Sequence, residues 1–127
     1  VQGHAGGYYL GATVFDDVTP DMSLAREEIF GPVASALHVG SLDEAIEGIN
    51  KGTRFGNAAS IFTTSGREAR EFRRRTKAGN IGVNIGVAAP SAYFPFGGMR
   101  ESFFGILHPQ ADAVDFFTDR KVTITRW

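Results

Sequence analysis

The chain has 127 residues, of which 43% are hydrophobic, 12% aromatic and 21% charged, a globular composition sized for a single core. A formal net charge of −1 gives no overall pull towards nucleic acid or an anionic membrane, and no apolar run is long enough to cross a bilayer. Cysteine is absent, which excludes disulfides, thiolate metal sites and a cysteine nucleophile within these residues.

After Gly3, Gly6 and Gly7, the aromatic and β-branched run from Tyr8 to Phe15 predicts a strand. Asp16-Asp17 and Thr19-Pro20-Asp21 turn the chain, and Asp21 is placed to cap a short helix reaching Arg26. Val33–Val39 reads as a second strand. Ser41 with Glu44 three residues later forms a capping-box pattern, and Ala45, Ile46 and Ile49 supply a helical apolar stripe. A short apolar run follows at Ala58–Phe62. A helix is expected over Arg67–Lys77, with Ala69, Phe72 and Thr76 along one side and Gly79 as its C-terminal stop. Ile81–Ile85 predicts a strand, Ala88–Gly98 a long loop, Asp112–Thr118 a short helix, and Lys121–Trp127 a last alternating strand. Strands and helices alternating in the middle of the chain predict an α/β fold built from parallel βαβ units. No repeat or linker divides it. The final strand has no sequential partner, which suits pairing with another domain or subunit.

Several residue groups invite a functional reading. His4, His38 and His108 have no partner at metal-ligand spacing, so no metal site is expected. The glycines at 79, 82 and 86 do not form a dinucleotide fingerprint, and no phosphate-binding G-x-x-x-x-G-K stretch exists. Residues 66–77 hold six basic and two acidic side chains, whereas residues up to Asn50 hold eight acidic and one basic. That basic helix is either a solvated face with ion pairs or an anion site. Tyr93, Phe94 and Phe96 crowd one loop, which must either be buried or line an apolar pocket. Glu27 and Glu28 stand where the helix dipole disfavours acids, immediately before Ile29-Phe30-Gly31-Pro32. They are either the charged end of a short helix or a carboxylate held for a ligand by a stiff backbone.

Assembled, the motifs resemble the C-terminal part of the aldehyde dehydrogenase superfamily from end to end. The likeness is carried by G-Y-Y-L-G-A-T-V-F at 7–15, E-E-I-F-G-P-V at 27–33, D-E-A-I at 43–46, F-G-N-A-A-S-I-F-T at 55–63, A-G-N-I-G-V-N at 78–84 and P-F-G-G at 95–98. Within it, V-T-P-D-M at 18–22, G-V-A-A-P at 86–90, S-F-F-G at 102–105 and F-F-T-D-R-K-V at 116–122 resemble the methylmalonate-semialdehyde dehydrogenase branch, which is NAD-dependent and CoA-acylating.

The resemblance implies that residues 1–120 are the C-terminal part of a catalytic domain and residues 121–127 a terminal oligomerisation strand. It implies that Glu28 accepts hydrogen bonds from the nicotinamide ribose of NAD and that Phe30 packs near the nicotinamide. Phe94 and Phe96 would line the aldehyde entrance. Coenzyme A would be the co-substrate, and the nucleophilic cysteine and the NAD-binding domain would lie upstream. The segment is therefore expected to carry no catalytic residue and to be inert alone, as one piece of a longer homo-oligomeric enzyme. A chain opening at Val1 fits that expectation, and the lack of a basic-then-apolar leader leads to the expectation of a cytoplasmic location, or the mitochondrial matrix in a eukaryote. The alternatives are a segment of a dehydrogenase that releases the free acid, and a stand-alone interaction module that catalyses nothing.

Overall fold

The computed structural model describes residues 2–3, 6–86, 91–105 and 110–127. His4, His108 and residues 88–90 of the predicted loop lie outside them. The fold is α/β, as expected, but its contacts gather into two compact units, Val1–Arg54 and Phe55–Trp127, rather than around one core. The buried apolar side chains divide accordingly, with Val18 and Ile46 in the first unit and Phe72 and Ala78 in the second.

In the first unit, β1 (Thr13–Phe15), the single-turn α1 (Ser23–Arg26) and β2 (Val33–Ser35) form a parallel strand pair with its crossover. Thr13 lies opposite Val33 and Phe15 opposite Ser35. The ladder continues through Ala36 N donating to Phe15 O at 2.8 Å and Val18 N to Ala36 O at 3.0 Å. Both strands are shorter than the sequence predicts. A strand exists only where a neighbour offers a ladder, and Tyr8, Tyr9 and Leu10, for all their β-propensity, lie outside the β1–β2 ladder and stand exposed.

Asp21 does not cap α1. The helix starts two residues later with Met22 at the N-cap, and the Asp21 carboxylate accepts instead from the Thr19 hydroxyl. By contrast, α2 (Leu42–Lys51) begins as predicted: Ser41 Oγ accepts from Glu44 N at 3.1 Å. The Glu44 carboxylate reaches back to Gly40 N at 2.7 Å, one residue before the cap. The apolar stripe then drives Ile46 to 2% exposure.

The second unit holds β3 (Phe55–Gly56), β4 (Ala58–Ile61), α3 (Gly66–Arg75), β5 (Asn80–Val83), β6 (Met99–Arg100) and α4 (Gln110–Phe117). β4, α3 and β5 form a parallel βαβ unit with Ala58 opposite Asn80 and Ile61 opposite Val83. Past its end, Asn84 (φ 56°) prolongs the pairing by its side chain: Thr63 N donates to Oδ1 at 2.9 Å, and Nδ2 donates to Thr63 O at 3.1 Å. Ser65 caps α3, accepting from Glu68 N. Phe72 and Thr76 are buried along the inward side, and Arg67, Arg70 and Arg74 stand on the outward one.

Three further expectations change. The antiparallel pair β3–β6, with Phe55 opposite Arg100, was not predicted. α3 stops at Thr76, whose backbone is extended (ψ 129°), before Gly79 is reached. Gly79 is instead a crossing point, where a Cβ would lie 2.0 Å from Gly97 O. Finally, Lys121–Trp127 forms no strand among the described residues. Alternation needs a ladder partner to become a strand, and Val122, Ile124 and Trp127 here face solvent.

Candidate functional site

The E-E-I-F-G-P segment is a braced loop between α1 and β2. Glu27 N donates to Ser23 O at 2.8 Å and closes the helix, after which the backbone of Glu27 is already extended. Phe30 takes a left-handed conformation (φ 54°), which turns the chain back on itself. Val33 N then donates to Gly31 O at 2.8 Å, clasping Pro32 in a tight turn. The Pro32 carbonyl accepts from Thr13 N at 2.9 Å, so the loop is moored to the start of β1. A non-glycine residue in this region is strained, and such strain persists only where the surroundings enforce it.

The loop walls an open cleft of about 470 Å³, bordered by Leu24, Glu27, Glu28, Ile29, Phe30 and Ser35 among others. Both carboxylates border it, and neither makes a side-chain hydrogen bond or ion pair among the described residues. Each therefore offers two free acceptor oxygens, the arrangement that a vicinal diol can engage with charge-assisted hydrogen bonds. The Phe30 ring is 91% exposed and supplies a bare aromatic face beside them. Glu28 and Phe30 both border this cleft; the preference for Glu28 over Glu27 comes from the resemblance, since the cleft admits both. A second hollow of about 330 Å³ in this unit, between α1 and α2, is lined by Ala25, Leu37, Val39, Ala45 and Ile49. It has no charged group to orient a ligand.

Phe94 and Phe96 belong to the second unit, and their loop is split in character. Tyr93 and Phe94 are exposed, with Phe94 N bonded to Ser91 O at 3.0 Å in a turn. Phe96 is partly covered and meets Phe103 edge-to-face, with centroids 6.5 Å apart. One ring is anchored and its neighbour is presented.

The fold also assembles groups that spacing did not connect. His38 Nε2 lies 2.7 Å from Asp16 Oδ1 and 3.6 Å from Asp17 Oδ1, all three being exposed. The backbone N–H of Asp17, then the hydrogen bond and charge of His38, hold the Asp16 carboxyl below the usual aspartate range. Twenty-two residues separate His38 from Asp16, and only the parallel pairing of β1 with β2 joins them. The hydrogen bond between His38 and Asp16 accounts for this cluster. Asn80, inside the A-G-N-I-G-V-N motif, is only 8% exposed, and that burial shows in the fold and not in the spacing.

The chain matches the aldehyde dehydrogenase family over residues 1–123. It is 49% identical over 122 residues to malonate-semialdehyde dehydrogenase 2 of Bacillus thuringiensis (strain Al Hakam), covering 95% of this chain and 25% of that protein. Among solved structures it is similar to one named as a methylmalonate-semialdehyde dehydrogenase of Sinorhizobium meliloti 1021 complexed with NAD. There the TM-score is 0.91 at 39% identity, over 100% of this chain and 26% of that one. The methylmalonate-semialdehyde dehydrogenase of Oceanimonas doudoroffii gives a TM-score of 0.87 at 40% identity, over 96% of this chain and 25% of that one. The chain spans about a quarter of the length of these relatives.

Proposed function

The chain belongs to the aldehyde dehydrogenase family, and from that premise we propose that it is the C-terminal segment of an NAD-dependent, CoA-acylating malonate- or methylmalonate-semialdehyde dehydrogenase. The observation that carries the proposal is the braced cleft that Glu28 and Phe30 border together, the Glu28 carboxylate having no side-chain partner among the described residues. Its chemistry fits NAD, the cofactor held by the similar S. meliloti structure. The names of the similar proteins favour a semialdehyde of a short dicarboxylic acid as substrate.

NAD supplies the hydride acceptor when bound. What this chain contributes is placement. The Glu28 carboxylate accepts from the nicotinamide-ribose hydroxyls, and the Phe30 face limits the wander of the nicotinamide ring. Hydride transfer demands near-attack geometry, so restraint of this kind acts on rate as well as on affinity. Phe94 and Phe96 form part of the wall on the aldehyde side. The covalent step needs a thiolate, and the sequence has no cysteine. The segment is therefore inert alone, and the nucleophile comes from another part of the enzyme. The exposed alternating residues 121–127 supply a strand to a neighbouring subunit, where a ladder partner would give them the structure they lack here.

The test is an assay of a complete dehydrogenase carrying this sequence, with malonate or methylmalonate semialdehyde and NAD, with and without coenzyme A. A CoA thioester product formed only with coenzyme A is expected. Free acid as the sole product in both arms refutes the acylating reading and leaves an ordinary aldehyde dehydrogenase.

A further inference from the structure

Asn80, the first residue of β5, is a buried amide that fastens two distant stretches of chain. Its Nδ2 donates to Asn57 O at 3.0 Å and to Gly97 O at 2.8 Å, so both amide protons are used. The backbone beside it repeats the attachment: Asn80 N donates to Asn57 O and Gly79 N to Gly56 O, each at 3.0 Å. The absence of a side chain at Gly79 lets Gly97 pass close enough for the amide to reach it. Bonded on one side to Asn57, which directly precedes β4, and on the other to Gly97, which directly follows Phe96, this joint sits between the βαβ unit and the aromatic loop. A buried polar group satisfied on all its protons fixes its neighbours more firmly than apolar packing does.

We infer that Asn80 is a positioning residue for the aldehyde side of the site. By holding Gly97 it fixes the backbone that carries Phe96, and it thereby sets where Phe94 is presented. This rests on the reading of those two phenylalanines as pocket wall. Asn80 touches neither substrate nor cofactor; it acts through the loop, and the property it governs is which aldehydes fit.

The experiment compares Asn80→Ala, Phe94→Ala, Phe96→Ala and the double variant Asn80→Ala/Phe96→Ala in the complete dehydrogenase. Displacing a substrate-positioning wall by about 1 Å costs up to roughly a hundredfold, so a roughly tenfold rise in aldehyde KM is expected for Asn80→Ala. The KM for NAD stays unchanged. The preference for small over bulky aldehydes weakens, and in the double variant the two effects fail to multiply, because one residue acts through the other. Multiplying effects, or equal losses for NAD and aldehyde, overturn the inference and leave Asn80 a structural residue only. If Phe94→Ala and Phe96→Ala alter aldehyde KM while Asn80→Ala does not, the inference falls and the pocket reading stands. If none of the three alters it, the pocket reading falls too. Should Asn80→Ala prove insoluble, Asn80→Ser keeps one donor and is expected to give an intermediate KM; a wild-type KM with Asn80→Ser overturns the inference.

Discussion

Replacing Phe30 by asparagine should raise stability and weaken cofactor binding at once. Phe30 sits at φ 54°, where an L residue is strained by about 1–2 kcal/mol. It is 91% exposed in this chain, so truncation gives up almost no burial against these residues. Asparagine tolerates this conformation through local hydrogen bonding, and it avoids the extra unfolded-state freedom that glycine would bring. The cofactor-free enzyme should therefore gain about 1 kcal/mol. An aromatic face laid against another flat ring contributes about 0.5–1.5 kcal/mol beyond its buried area. With 1.4 kcal/mol per decade, loss of the Phe30 face should raise the NAD dissociation constant roughly tenfold. Urea unfolding of the complete dehydrogenase without NAD reads the first effect, and fluorescence titration with NAD reads the second. A lower unfolding midpoint would refute the strain argument. An unchanged dissociation constant would refute the ring contact.

Glu28→Gln should lower NAD affinity by roughly tenfold, because neutral acceptors make weaker hydrogen bonds than charged ones, whereas Glu27→Gln should leave it near the wild-type value; equal responses would remove the distinction between the two acids. Gly79→Ala places a methyl group 2.0 Å from Gly97 O and should cost about 1–3 kcal/mol in a denaturation experiment. An Ala variant as stable as the parent would mean that the 91–98 loop does not cross there. The Asp16 carboxyl is held below its ordinary pKa, so its stabilising contact is present above the ordinary aspartate range and is lost as pH falls through the lower folded value. Its NMR titration midpoint should rise on His38→Ala, though not fully to the ordinary value, because the Asp17 N–H remains. No change on that substitution would show that the pair does not form in solution.

Local chemistry made part of this fold legible. The Ser41–Glu44 cap and the Phe72–Thr76 stripe of α3 involve partners within four residues, and both stand as their residue types predict. Elements depending on distant partners were overextended or missed. Tyr8–Phe15 has strand chemistry throughout, yet only Thr13–Phe15 finds a ladder, because β2 offers three residues. β3 and β6 are two residues each, with Phe55 paired to Arg100 and Gly56 to Met99, too short for any periodicity to show. The site follows the same division. The stiffness of Ile29-Phe30-Gly31-Pro32 could be read from its residues, whereas the mooring of Pro32 to Thr13 could not. Asn80 resembles any strand-edge asparagine until Asn57 and Gly97 are seen around its amide.

The thin core has a thermodynamic consequence. Val18, Ile46, Phe72 and Ala78 are the apolar side chains buried among the described residues, and the chain exposes 10450 Å² of surface. A free-standing globular protein of 13.7 kDa exposes about 6,600 Å². The excess is roughly 3,900 Å². On the proposed reading, the remainder of the same longer chain covers that surface. Folding of this segment is then coupled within one polypeptide to folding of the rest, and a melting temperature belongs to the whole enzyme and not to the segment.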